Sequence, residues 1–227
     1  MKCSVARSRI FQPAPKFVAL ALRTLTSALA LGVAALLPAG CTFWGNSGTP
    51  IITSATSGLT LSPALPTRIY DFTDSNTADF YLTDLPPETW TSGGDVSRAT
   101  GVLMHVHMFL ASKAGSTPIA SGATIVNTRI IVLAGGAMGV YGGGGFLLRS
   151  GEAGDDDFGG RLPHSTLRLL RATPGFVDRL GPSELDGYFE ATLDATQTEQ
   201  MRRAFDTLIS KTAPVATAEE KPDEAAK

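Results

Sequence analysis

Two of the chain's three histidines stand one residue apart in the run ATGVLMHVHMFLAS, as His105 and His107. Extended backbone sends successive side chains to opposite faces, so a His-x-His pair on a strand presents both imidazoles on one side. Two imidazoles from one strand plus a third imidazole from a neighbour form an arrangement that holds zinc or copper. His164, in RLPHSTLRL, is the third imidazole the chain can offer. The bland alternative gives none of them to a metal: His105 and His107 are a half-exposed pair, and His164 is a loop residue after Pro163. Spacing alone does not make ligands converge. The first expectation is therefore no cofactor, with a zinc or copper site at His105, His107 and His164 as the alternative.

Other chemistries find less. GDDDFGG offers the carboxylates of Asp155, Asp156 and Asp157, but without the alternating ligands and closing glutamate of an EF-hand loop, so it reads as a solvated turn. There is no GxSxG, and the only cysteines are Cys3 and Cys41, both near the N-terminus. Asp71, Asp74, Asp79 and Asp84 read as solvent-side and turn residues. A non-catalytic protein is the expectation.

The elements that would position these residues are mostly strands. ADFYLTDL alternates Ala78, Phe80 and Leu82 against Asp79, Tyr81 and Thr83. In the histidine run the opposite face, Val102, Met104, Val106, Met108 and Leu110, is wholly apolar, so both methionines belong to a core. GATIVNTRIIVL, STLRLLRA and SELDGYFEATLD read as further strands between clusters of turn residues. This pattern implies a mainly β fold, an antiparallel sandwich rather than a barrel. One helix closes it: DATQTEQMRRAFDTLISK places Met201, Phe205 and Leu208 at helical spacing, with Asp194 or Thr196 as cap.

The uncharged stretch Ile130 to Leu148 admits three readings. A membrane helix is opposed by its seven glycines, each costing about 1 kcal/mol in a helix. A phosphate cradle is opposed by the lack of Lys-Ser or Lys-Thr after them. Strands joined by a glycine-rich bend fit best, with Gly142, Gly143, Gly144 and Gly145 making the bend and allowing a close backbone approach.

The N-terminus carries Lys2, Arg7, Arg9, Lys16 and Arg23 and no acid, then the apolar run ALALGVAALL and PAGC. A basic region, an apolar core well short of the ~20 residues of a spanning helix, and small residues before a cut site make a secretory signal over residues 1–40. The residues around Cys41 resemble the lipobox of bacterial lipoproteins, with Pro38 where that family usually has leucine. The resemblance implies that Cys41 is lipidated and becomes the mature N-terminus. Thr42 in place of Asp then implies the outer membrane in a host that has two, with the domain facing the periplasm or the surface. YDFTDSNTADFYLTDL and GVYGGGGFLL are similar to exported proteins of planctomycete-type bacteria, which implies export and no particular activity.

Loss of residues 1–40 removes five of the 19 Lys and Arg and none of the 21 Asp and Glu, so 14 bases face 21 acids at a net −7. That balance argues against nucleic acid and leaves the lipid and other envelope proteins as partners. The expected organisation is a flexible tether at 41–66, a β-rich domain with its helix at 67–211 and a disordered tail at 212–227. An early strand around Gly58 to Ser62 belongs to the tether reading.

Overall fold

The computed structural model describes residues 49–91, 99–112 and 124–216. The alternating runs form strands β1 (Ile51–Ser54), β2 (Thr60–Leu61), β3 (Thr67–Asp74), β4 (Thr77–Thr83), β5 (Thr100–Met108), β6 (Val126–Ala134), β7 (Ala137–Gly145), β8 (Leu148–Ser150), β9 (Asp157–Ala172), β10 (Ser183–Leu193) and β11 (Ala213–Pro214). A short helix α1 (Pro87–Thr91) follows β4, and α2 (Ala195–Ser210) follows β10. The protein is mainly β with one C-terminal helix, as its patterning implies.

All strands join one mixed sheet. β3 to β7 form a run of antiparallel neighbours, while β3 also pairs with β10 in parallel through Ile69 and Tyr70. β9 binds β10 along one edge and β8 then β7 along the other, so the strand order returns on itself. The parallel β3–β10 pair departs from the all-antiparallel expectation. It arises where the chain enters α2, and Asp194 N–H donates to the Tyr70 carbonyl there.

Period-two alternation sorts the side chains into two cores. The inner face gathers Ala78, Phe80 and Leu82 from β4, Val102, Met104, Val106 and Met108 from β5, and Tyr70, Phe158 and Phe189. Phe80 lies 5.6 Å from Tyr70 and 5.2 Å from both Phe158 and Phe189, ring centre to ring centre. On the outer face Ile69, Tyr81, Leu103, Ile131 and Val140 meet Met201, Phe205 and Leu208 of α2. A 16-residue helix is marginal alone. Burying three such side chains, at about 1.5–3 kcal/mol each, is what holds it. Asp194 is its cap, accepting the Gln197 N–H at 2.8 Å.

Three expectations need correction. The glycine-rich bend is not at Gly142–Gly145 but at Gly135 and Gly136, whose φ of +63° and +113° turn the chain between the paired Ala134 and Ala137. Gly142 to Gly145 continue β7 in full register with β6. What approaches them closely is the protein's own β9: a Cβ on Gly143 would stand 1.7 Å from the Thr166 carbonyl oxygen. The segment assigned to a tether is partly folded, since β1 pairs with β10 and buries Ile52, β2 falls inside the early strand expected there, and Leu65 is buried. The tail is tied down at its start, where β11 pairs with β9 and Val215 N–H donates to Leu170 O at 2.9 Å. Residues 217–227, Cys41 and the signal segment lie outside the described residues. Among the described residues no helix is long and apolar enough to cross a membrane.

Candidate functional site

β4 and β5 run antiparallel with Asp79 opposite His107 and Tyr81 opposite His105. Directly opposed side chains have Cβ atoms about 5 Å apart, and diagonal neighbours remain within reach of long side chains. Asp79 therefore meets both imidazoles. Its Oδ1 accepts a hydrogen bond from His105 Nε2 at 2.7 Å and another from His107 Nδ1 at 2.9 Å. One nitrogen of each ring and the carboxylate oxygen all lie within 4.8 Å of one another.

Packing fixes the rings. His105 stacks on Tyr81 at 4.5 Å and 9° between planes, and Phe205 of α2 meets it edge-on at 5.5 Å. Its side chain is 15% exposed, against 35% for His107 and 34% for Asp79. The trio thus sits at the border of the helix-covered outer core, with its inner neighbour seated on aromatics and its outer one facing solvent. Burial acts to raise the Asp79 carboxyl pKa, but the hydrogen bonds from His105 and His107 outweigh it and hold the group below its ordinary value. Burial pushes the Tyr81 phenol up, with the Asp79 charge adding to it. On the α2 side, a cavity of about 110 Å³ bordered by Asp71, Thr73, Thr198 and Arg202 adjoins Asp79 and Tyr81.

This donor set suits a small divalent cation. Zinc bonds to imidazole nitrogen and carboxylate oxygen at about 2.0–2.2 Å, which separates tetrahedral ligands by roughly 3.3 Å. The nitrogen–oxygen gaps of 2.7 and 2.9 Å are a few tenths of an ångström short of that, a difference that side-chain rotation can supply. Metal binding would replace both shared protons.

His164 is placed elsewhere. Pro163 and His164 lie in a bulge of β9 at the register shift between Leu185 and Gly187 of β10, and His164 has φ +48°. Its Nδ1 hydrogen-bonds Glu184, and its side chain is 77% exposed. That bond, and then the Glu184 charge, raise the His164 pKa above its ordinary value. The third member of the histidine cluster is Asp79, which composition had assigned to the solvent side. Its placement on the Tyr81 face follows from alternation; its meeting with the histidines depends on the β4–β5 register, for which the chain carries no local signal. Asp155 belongs to a turn, as expected, with its carboxylate accepting the Glu152 N–H at 2.8 Å and its carbonyl accepting the Tyr70 hydroxyl.

No family model, curated protein or solved structure matches the chain.

Proposed function

We propose that the chain is a lipid-anchored protein of the cell envelope whose β domain is a non-catalytic binding module for a divalent transition metal, zinc or copper. The anchor follows from the signal-like segment and the lipobox-like residues before Cys41. Attached acyl chains hold a protein at a membrane when there are two or more. The metal reading is carried by one observation: a single carboxylate oxygen, Asp79 Oδ1, within hydrogen-bond range of a nitrogen from each of His105 and His107. Three protein ligands leave coordination positions for water or another molecule, as at open zinc sites. Copper(II) takes the same nitrogen and oxygen donors and stands above zinc in intrinsic affinity.

Calorimetry tests the metal reading on the chain from Thr42 to Lys227 after chelator treatment. Zinc and copper each bind one-to-one, and Asp79→Ala, His105→Ala and His107→Ala each weaken binding at least about 100-fold, more than the 10–100-fold typical of groups that only support a ligand. His164→Ala leaves it unchanged. Absence of binding, or equal affinity in the Asp79 and histidine variants, removes the reading. The anchor has its own test: the full chain made in a bacterial host partitions into a detergent phase, and Cys41→Ser moves it to the aqueous phase. Unchanged partitioning of Cys41→Ser rejects lipidation at that residue.

A further inference from the structure

The outer face around the trio is arranged in cross-strand rows. One runs Asp71, Asp79, His107, Asn127, Gly144 across β3 to β7, and the next runs Ile69, Tyr81, His105, Arg129, Gly142. Each imidazole therefore has a hydrogen-bond donor directly opposite on β6, Arg129 for His105 and Asn127 for His107. Such opposed residues stand about 5 Å apart at Cβ, and an arginine side chain is long enough to span that gap. Beyond them on β7 the same rows hold only glycine, so no β7 side chain in either row competes for Arg129 or Asn127.

The exposed Arg129 side chain has no hydrogen-bond or ion-pair partner among the described residues. The arginines of α2 differ: Arg202 and Arg203 both bind Glu199. A free guanidinium next to a divalent cation is repelled by it, and the arrangement becomes favourable when an anion lies between the two. Guanidinium geometry matches carboxylate and phosphate groups through paired N–H donors.

We infer that the metal held by Asp79, His105 and His107 takes a small oxyanion as its exogenous ligand, one oxygen on the metal and another accepting from Arg129, with the Asn127 amide as a second donor. The chemical class is a carboxylate or phosphate group. This inference rests on the metal-binding reading proposed above.

Cobalt(II), a spectroscopic stand-in for zinc, separates the two. The chain from Thr42 to Lys227 is loaded with cobalt and titrated in parallel with acetate and with methylphosphonate, following the cobalt visible bands. The expected result is a saturable spectral change with one or both anions, weakened about tenfold in Arg129→Ala and less in Asn127→Ala, with cobalt affinity unreduced in both. Arg179→Ala, an exposed arginine between β9 and β10 and outside both rows, leaves the titration as in the parent chain. Cobalt binding with no spectral response to either anion overturns the oxyanion inference and leaves the metal reading intact. The same holds for a response that is equal in Arg129→Ala. Failure to bind cobalt overturns both.

Discussion

Among the described residues histidine meets carboxylate in two places, with similar chemistry and different support. Asp79 with His105 and His107 is carried on two paired strands, with Tyr81 beneath one ring and Phe205 against its edge. His164 meets Glu184 from a bulge, where the histidine backbone is left-handed, its side chain is mostly open to water and that of Glu184 about half so. A short contact exists in each case, but only the first is packed against neighbouring aromatic rings. Ligand sites need that support, because a metal requires its donors within a few tenths of an ångström and exposed side chains lose rotamer entropy to reach such a geometry. Exposed ion pairs contribute at most about 1 kcal/mol for the same reason.

The largest expected effect comes from removing the support without touching a ligand. Phe205 is 1% exposed and joins α2 to Tyr81 and His105. Phe205→Ala should cost about 3–5 kcal/mol of stability, the usual loss for deleting a buried phenylalanine. Phe205→Leu keeps most of the volume, folds, and should cost less than about 1.5 kcal/mol. If His105 is oriented by its aromatic seat, zinc affinity measured by calorimetry in Phe205→Leu drops about tenfold, a loss of the size seen when a ligand's supporting contact is removed. Full affinity in Phe205→Leu would mean that the strand pairing alone positions the imidazole, and the contrast between the two histidine settings would lose its basis.

Much of the supported site is legible from patterning. Alternation puts Asp79 with Tyr81, and His105 with His107, on the face away from the apolar Val102 to Met108 row, and all four lie on the outer face. Helical spacing identifies Met201, Phe205 and Leu208, and residue type offers Asp194 or Thr196 as the cap, of which Asp194 is the one that caps. What patterning does not contain is register. Asp79 meets His107 because β4 and β5 align as they do, and a slip of one residue would send every β5 side chain to the other face. The parallel β3–β10 pair joins residues more than 120 positions apart, Ile69 with Thr192, so nothing local announces it.

The glycine run shows a different limit. Four consecutive glycines read as a bend because glycine permits bending, yet here Gly143 is needed for closeness: the β9 backbone leaves no room for its Cβ. The turn falls instead on Gly135 and Gly136, a two-residue connection between paired strands. Both runs have the same composition, and only the partner strand distinguishes them. Pro163 misleads in a similar way. Proline ends most strands, so the residue after it reads as loop, but a bulge accepts proline and lets β9 continue through His164.

The smallest effect tests the unsupported contact. The hydrogen bond to Glu184, with its charge second, raises the folded-state pKa of His164 above the ordinary imidazole value of about 6.5. For a group whose pKa is raised on folding, the stabilisation is fully present below the unfolded pKa and is lost as pH rises through the folded one. The window therefore opens near pH 6.5 and extends upward from there. With three histidines in the chain, NMR can follow each ring proton separately once His164→Ala has assigned the signal. The His164 midpoint should lie above 6.5 and return towards it in Glu184→Gln, while the melting temperature of Glu184→Gln differs from the parent slightly at pH 6 and not at pH 9. The exposure of the pair keeps the stability difference small, since water and salt screen it. A His164 midpoint at or below 6.5 in the parent chain would show that the bulge does not hold the contact in solution. The two settings would then differ not in how firmly the carboxylate is held but in whether it is held at all.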